Sequence, residues 1–259
     1  MFEYFIYEKK NNIGYLTINR PQDLNILSLA MEAEFNKVLD LVEIDKELRV
    51  LILTGAGDKA FMAGADIKEL AARDFSLARE QNTKRRQLYN RISEMRIPVI
   101  AAINGFAFGA GLELSLACTL RIACEEAKFG AFEINLAIMP GEGGTQRLPR
   151  IVGLGRAMEI VLTGEAIDAQ EAYRIGLVNK VVSREKLMST AAKIADNLAS
   201  KAPIALQCAK EALNRAFDMG LYEGMEHESY LQAYTCATED KKEGIAAFLE
   251  KRKPIYIGR

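Results

Sequence analysis

The longest apolar stretch of the chain, residues 99–118, is as long as a membrane-spanning helix. It contains Asn104, Glu113, Ser115 and three glycines, a mixture that does not suit a helix facing lipid. Its first residues, Val99–Ile103, form a short apolar run between Pro98 and an Asn-Gly pair, which is typical of a buried strand. The stretch therefore predicts a strand, a turn and a short helix inside a protein core, and we expect no membrane association.

Short strands and helices alternate along the first part of the chain. β-branched and apolar runs predict strands at the N-terminus and elsewhere, and apolar residues at helical spacing predict helices. The predicted strands are residues 1–8, Ile13–Ile18, Val50–Thr54, Val99–Ile103 and Leu120–Cys124, and the predicted helices are Ser28–Val42 and Leu112–Ala117. The N-terminal residues lack the basic region of a signal peptide. This alternation indicates an α/β fold.

From about residue 191 the strand signals disappear. Amphipathic patterns predict helices over Leu198–Phe217, Tyr222–Cys236 and Glu239–Lys253, and Pro203 fits a first helical turn. We therefore divide the chain into a core over residues 1–199, which is expected to hold any functional site, and a helical region over residues 200–259. An apolar stripe in the first of these helices, which the region is too thin to bury alone, predicts a homo-oligomer. The stripe consists of Leu206, Ala209, Leu213 and Phe217.

Charge and composition exclude several classes of function. The net charge is −1 and tryptophan is absent, so the chain is not typical of nucleic-acid-binding proteins. The basic runs Lys84–Arg86 and Lys251–Lys253 are predicted to be solvent-exposed helix faces. His227 is the single histidine, predicted to lie on a helix surface, which argues against a zinc site and against a Ser-His-Asp triad. Four cysteines without a CxxC pair indicate buried thiols in a reducing compartment, and we expect a cytoplasmic protein.

Two glycine-rich segments follow buried strands, at residues 60–68 and 104–113. Small residues at such points let backbone N–H groups approach a ligand, and two such loops facing each other would form an oxyanion hole. Ordinary strand-to-helix turns are the alternative. Neither segment completes a P-loop or the G-x-G-x-x-G pattern, which disfavours nucleotide cofactors.

Glu113 and Glu133 each lie in an apolar stretch. A single glutamate of this kind is more often a surface residue, but two of them twenty positions apart suggest a general acid/base pair. A carboxylate in so apolar a setting as that of Glu113 is expected to be at least partly buried.

Several segments, in the right order along nearly the whole chain, resemble the crotonase (enoyl-CoA hydratase/isomerase) superfamily. They are AGADIK at 63–68, the segments 105–113 and 129–133, PGEGGTQRL at 140–148, and AFLEKR at 247–252. The resemblance implies a spiral of repeated ββα units followed by a helical region that assembles trimers or dimers of trimers. It also implies an acyl-CoA thioester substrate without a further cofactor or metal.

The resemblance also assigns roles to residues. Glu113 and Glu133 match the catalytic glutamates, and the N–H groups of Ala65 and Ala110 match the oxyanion donors. The substrate-binding positions are Ala63, Gly64, Ala65, Asp66, Ile67, Lys68 and Gly141, with Phe248 and Lys251 reaching the CoA of a neighbouring subunit. The N–H of Gly141 is expected to help position the catalytic water.

Three residues differ from the common pattern of the superfamily. Ala110 stands where a glycine is frequent, although alanine also supplies an N–H. Phe132 stands where proline is common and would reshape the acyl pocket. Glu142 replaces a small residue and is expected to be a solvent-facing loop residue, although it adds a third carboxylate near the site.

The resemblance favours an enoyl-CoA hydratase, which adds water across the 2,3 double bond of an enoyl-CoA, or dehydrates a 3-hydroxyacyl-CoA in reverse. Related enzymes that remain open are a double-bond isomerase, which can use one carboxylate, and a dienoyl-CoA or alicyclic acyl-CoA hydratase. An RNA-binding relative of the same fold is the alternative from another class, and the near-neutral charge speaks against it.

Overall fold

The computed structural model describes residues 2–259 and contains two β-sheets. The strands are Phe5–Lys10 (β1), Ile13–Ile18 (β2), Val50–Gly55 (β3), Ala60–Met62 (β4), Val99–Ile103 (β5), Phe106–Phe108 (β6), Leu120–Cys124 (β7), Lys128–Gly130 (β8), Ile167–Asp168 (β9) and Lys180–Val182 (β10). The larger sheet has the order β1-β2-β3-β5-β7-β10, and the smaller has the order β4-β6-β8-β9. Neighbouring strands are parallel except for β1 with β2 and β8 with β9.

Eleven α-helices and two short 3₁₀ helices connect or follow these strands within residues 2–259. The helices are Leu29–Ile44 (α1), Ile67–Ala71 (α2), Phe75–Glu94 (α3), Ala110–Ala117 (α4), Gly144–Val152 (α5), Leu154–Thr163 (α6), Ala169–Arg174 (α7), Arg184–Ala199 (α8), Pro203–Arg215 (α9), Leu221–Cys236 (α10) and Glu239–Leu249 (α11), with 3₁₀ turns at Pro21–Asp23 and Phe132–Leu136. Side-chain oxygens of Ser28, Asp74 and Thr238 accept the free N–H groups at the starts of α1, α3 and α11.

From β3 to β8, strands that follow one another along the chain belong alternately to the larger and the smaller sheet. β3, β5 and β7 belong to the larger sheet, and each is followed directly by a strand of the smaller sheet, β4, β6 or β8. Helical segments then lead back to the larger sheet, after the third pair by way of β9 of the smaller sheet, so each pair of strands begins a ββα unit. The α/β class is confirmed, as is the repeated unit that the resemblance implied.

The core lies on both faces of the larger sheet. Every residue of Val50–Gly55 and of Val99–Ile103 is buried, which explains why these strands are apolar throughout and do not alternate. α8 packs across β2, β3, β5, β7 and β10 and covers one face. The predicted strands at 13–18, 50–54, 99–103 and 120–124 are confirmed, and the N-terminal strand begins at Phe5.

Three predicted helix boundaries were wrong. The helix expected over Leu198–Phe217 is divided, because α8 ends at Ala199 and α9 begins at Pro203, whose missing N–H is tolerated at a first helical position. The last helix ends at Leu249, short of Lys253, because Lys251 has a φ of 55° that cannot continue a right-handed helix. The short helix of residues 112–117 begins earlier, at Ala110. The division of the chain at residue 200 stays a prediction.

The structure also bears on the expectations for membrane association, for the cysteines, for His227 and for the basic run at the C-terminus. Among residues 2–259, no helix combines the length and the apolar character needed to cross a membrane. Three cysteines are buried and Cys236 is exposed. His227 lies on α10 and is only partly exposed, beside Glu211, and Lys251–Lys253 is exposed as expected.

Candidate active site

Two glycines allow the first turn of α4 to lie against the end of β4. Gly109, which precedes α4, has a φ of 50°, a conformation that favours glycine. A Cβ on Gly111 would lie only 1.9 Å from the carbonyl oxygen of Met62. The loop after β4 therefore meets the start of α4, and a Cβ on Gly64 would lie 3.6 Å from the carbonyl oxygen of Phe108.

Ala65 and Ala110 lie on these two adjoining segments. Ala65 pairs with Leu27 as an isolated parallel bridge, in which Leu27 N donates to Gly64 O (2.8 Å) and Asp66 N donates to Leu27 O (3.0 Å). In a parallel bridge of this kind the N–H of the central residue, Ala65, points away from Leu27. The N–H of Ala110 belongs to the first turn of α4, which gives it no acceptor within the helix.

Glu113 is buried in α4, with an exposed fraction of 1%. Its Oε1 accepts hydrogen bonds from Glu142 N (2.9 Å) and Gly144 N (2.7 Å), at the start of α5. Burial raises the pKa of Glu113 well above its usual value, and the neighbouring Glu142 carboxyl raises it further, against the lowering effect of the Gly144 N–H. Burial therefore makes the ionised form of Glu113 a stronger base than the carboxylate of an exposed glutamate.

Glu133 lies in the 3₁₀ turn Phe132–Leu136 and is partly buried. A Cβ on Gly109 would lie 2.8 Å from Glu133 Oε1, so the Glu133 carboxyl lies against this glycine. Burial raises the pKa of Glu133; its own N–H lowers the pKa, and the charge of Glu142 raises it. The Oε2 atoms of Glu113 and Glu133 are buried and have no hydrogen-bond partner within residues 2–259. The structure thus brings the two predicted glutamates to one helix start, each with one oxygen available.

The expectation that Glu142 faces solvent was wrong. Glu142 is 7% exposed, and its Oε1 lies 3.5 Å from Nη1 of Arg85. The expectation that residues 84–86 form a solvated face was also wrong for Arg85, which is 1% exposed and bonds Glu32 through Nε to Oε2 at 2.9 Å. Arg85 shares the buried face of α3 with Gln81, Leu88, Tyr89 and Ile92. The helical spacing of these residues indicates that Arg85 belongs to a buried face, whereas the run of three basic residues suggested exposure.

The other predicted binding residues lie at three separate locations in the fold. In the segment 63–68, the Asp66 carboxylate accepts from Lys68 N at 2.9 Å and begins α2, while Ile67 is 57% exposed. Gly141 is exposed, and a Cβ there would lie 2.7 Å from Nδ2 of Asn82. Phe248 and Lys251 lie at the end of α11, where Phe248 is 82% exposed, so their contribution to a neighbouring subunit stays a prediction.

Aromatic rings line up beside the carboxyls. The ring centroids of Phe106 and Phe108 are 5.0 Å apart, and those of Phe108 and Phe132 are 4.5 Å apart. Phe132 is held close to the strand end, since a Cβ on Gly130 would lie 2.6 Å from its ring. Phe132 therefore adds an aromatic surface directly before Glu133.

Comparison with known proteins gives one consistent family. The family model described as enoyl-CoA hydratase/isomerase matches residues 8–259. The chain is 43% identical to the short-chain-enoyl-CoA hydratase of Clostridium acetobutylicum, over 96% of this chain and 95% of the relative, and 43% identical to the crotonyl-CoA hydratase of Syntrophomonas wolfei, over 100% and 99%. It is also similar to the crystal structure of an enoyl-CoA hydratase from Bacillus anthracis, with a TM-score of 0.95, 43% identity, and coverage of 99% of this chain and 100% of that one.

Proposed function

The chain belongs to the enoyl-CoA hydratase/isomerase family, and on this basis we propose that it is an enoyl-CoA hydratase. It adds water reversibly across the 2,3 double bond of an enoyl-CoA thioester, and in reverse it dehydrates a 3-hydroxyacyl-CoA. The observation that carries the proposal is the pair of buried carboxyls, Glu113 and Glu133, each with an unpaired Oε2 at the start of α4. Hydration needs one group that takes a proton from water and one that supplies a proton to carbon.

The thioester oxygen is held by the N–H groups of Ala65 and Ala110. As the nucleophile attacks C3, negative charge moves onto this oxygen, and two donors aimed at it stabilise the enolate. The outward direction of the Ala65 N–H and the position of Ala110 in the first turn of α4 support this oxyanion hole. The positive end of the helix dipole adds to the same effect.

Glu113 holds and deprotonates the water, and Glu133 delivers the proton to C2. Burial raises the pKa of both carboxyls, which suits an acid that keeps its proton and a base that is strong once it is ionised. The N–H of Gly141 helps to hold the water. The neighbouring rings of Phe106, Phe108 and Phe132 line the acyl side.

The segment Ala63–Lys68 binds the CoA part of the substrate, and Phe248 and Lys251 of a neighbouring subunit complete that site. A homo-oligomer, a trimer or a dimer of trimers, is supported by the apolar stripe of α9 and its end, where Leu213 is 74% and Phe217 is 69% exposed. The reaction uses no metal or redox cofactor, and the protein acts in the cytoplasm, where its free thiols stay reduced.

A panel of CoA thioesters tests the activity. It contains trans-2-enoyl-CoA esters of several chain lengths, a cyclic enoyl-CoA and a trans-3-enoyl-CoA. We expect the absorbance of the conjugated double bond to fall with the trans-2 esters, and mass spectrometry to show a product heavier by one water. Conversion of the 3-enoyl ester to the 2-enoyl ester without hydration of either would overturn the proposal and identify an isomerase.

A further inference from the structure

The turn before α5 holds Glu113 through two backbone N–H groups. Glu142 N and Gly144 N donate to Glu113 Oε1 at 2.9 and 2.7 Å, and Oε2 of the same carboxyl has no partner within residues 2–259. Gly143, between the two donors, has a φ of 121°, a conformation that favours glycine. The directions of these two N–H groups therefore decide where Glu113 presents its free oxygen.

Arg147 on α5 holds the carbonyl groups of the same turn. Its backbone N donates to Gly143 O at 2.7 Å, and its Nη1 donates to Glu142 O at 3.1 Å. The guanidinium lies directly against the turn, because a Cβ on Gly143 would overlap Nη1. Gly143 O and Gly144 N belong to one peptide group, so Arg147 holds the oxygen of a peptide whose N–H holds Glu113.

A residue of α3 anchors the other end of the guanidinium. Nη2 of Arg147 donates to Asn90 Oδ1 at 2.6 Å. The preceding residue, Tyr89, is buried, and its hydroxyl donates to Ala110 O in the first turn of α4 at 3.0 Å. The same part of α3 thus supports both the turn before α5 and the helix that carries Glu113.

The two acceptors of the Arg147 guanidinium are neutral oxygens, so its contribution depends on the directions of two hydrogen bonds made at once. A planar guanidinium can hold two oxygens in fixed directions, and the single ammonium of lysine does not reproduce this geometry. Resting on the hydration proposed above, we propose that Arg147, anchored by Asn90, is a positioning residue that fixes the turn before α5, so that Glu113 keeps Oε2 directed at the attacking water.

The first test separates the geometry of Arg147 from its charge by steady-state hydration of an enoyl-CoA. Arg147→Lys keeps the positive charge but loses the two directed bonds, and Arg147→Gln loses both. We expect kcat to fall by about 10–10²-fold in both variants, because misplacing a catalytic group by 1 Å can cost about 10²-fold in rate. KM should change little, since the loss falls on the transition state. Wild-type kcat in Arg147→Lys, or a rise in KM alone, overturns the proposal.

Asn90→Ala tests the anchor and leaves Arg147 in place. Here kcat should fall by about 10-fold, less than in Arg147→Lys, since the bond to Glu142 O remains. Because the two residues act through one hydrogen bond, the double variant should lose less than the product of the single losses. The matched control is Arg150→Lys on the same helix, whose Nη1 donates only to Gln146 O at 2.9 Å and which should keep the wild-type kcat. Wild-type kcat in Asn90→Ala, or fully multiplicative losses, overturns the proposal.

The second test follows hydrogen exchange of the substrate-free protein by mass spectrometry and needs no activity. In a peptide that covers residues 140–146, the N–H groups bonded to Glu113 are protected in the wild type. Glu113→Ala removes their acceptor, and exchange in this peptide should become faster. Arg147→Lys and Asn90→Ala should cause the same local increase, while peptides of β3 and β5 keep the wild-type exchange. Unchanged exchange in residues 140–146 of Arg147→Lys overturns the proposal.

The two tests together separate this proposal from the proposed function. If exchange changes as expected but the wild type hydrates no enoyl-CoA, the proposed function fails and the positioning of Glu113 stands. If the wild type is a hydratase and Arg147→Lys equals it in kcat and in exchange, the positioning role alone is refuted. If Arg147→Lys does not fold, Asn90→Ala decides by the same two measurements, because it leaves the contacts of Arg147 with the turn in place.

Discussion

Replacing Gly111 by alanine tests whether the approach of α4 to β4 supports catalysis. The added Cβ would lie 1.9 Å from Met62 O, whereas ordinary contact begins at about 3.4 Å. The start of α4 must therefore retreat by about 1.5 Å, or β4 must yield by the same amount. Because Ala110 precedes Gly111 directly, its N–H moves with the helix.

The magnitude follows from this displacement. Misplacing a catalytic group by 1 Å can cost about 10²-fold in rate, and loss of one oxyanion donor costs about 10²–10³-fold. We expect kcat to fall by about 10²-fold, with a smaller change in KM, because the donor acts mainly on the transition state. Alanine usually stabilises a helix relative to glycine by about 0.5–1 kcal/mol, but overpacking here should reverse the sign and cost about 1–3 kcal/mol.

Steady-state hydration kinetics and urea unfolding measure the two effects. The matched control is Gly155→Ala in α6, where a Cβ meets nothing within 4 Å, so kcat should be unchanged and stability should rise by about 0.4–1 kcal/mol. A folded Gly111→Ala protein that keeps more than about a tenth of the wild-type kcat would refute the argument that this contact positions the donor.

Three further predictions address the glutamates, the oligomer and the C-terminal region. Glu113→Gln and Glu133→Gln should each lower kcat by about 10²–10⁴-fold, while CoA esters still bind in calorimetry. The double variant should lose less activity than the product of the two single losses. A single variant that keeps more than about a tenth of the wild-type activity contradicts the two-carboxylate mechanism. Leu213→Glu, on the exposed face of α9, should give a smaller species in sedimentation, and an unchanged mass would place the interface elsewhere. Hydrogen bonds from Arg252 lower the pKa of Glu243 to about 2. This pair therefore stabilises the fold above the usual glutamate pKa of 4.5 and loses this effect as the pH falls from 4.5 to about 2. The difference in Tm between the wild type and Glu243→Gln should shrink over that pH range.

The strands and the catalytic glutamates were visible in the sequence for local reasons. Val50–Gly55 and Val99–Ile103 are apolar throughout because both faces of the sheet are covered, and a buried strand of this kind needs no distant information to be recognised. Glu113 stood out because a carboxyl in an apolar helix requires a partner or a use. The family resemblance then supplied the roles of the backbone N–H groups.

The buried contacts of Arg85 with Glu32 and Glu142 were missed because the partners are far apart in sequence. Arg85 and Glu32 are separated by 53 positions, so a run of three basic residues is read as solvated until α1 and α3 are packed together. Glu142 lies in a glycine-rich turn typical of a surface loop, and its contact with Arg85 offsets part of the cost of its burial. Neither contact can be recognised from residues that are close together in the sequence.

The strand order of the larger sheet has a consequence for synthesis of the chain. β2, β3, β5, β7 and β10 are added one after another on the same side, so the sheet can grow as residues leave the ribosome. Until β10 is made, an incomplete chain presents the open edge of β7, which invites pairing with another copy. Growth ends with a strand of only three residues, and the opposite edge, β1, ends in the charged residues Glu8, Lys9 and Lys10. Both features are known protections against aggregation at sheet edges, so the finished protein is less prone to this association than its own nascent chain.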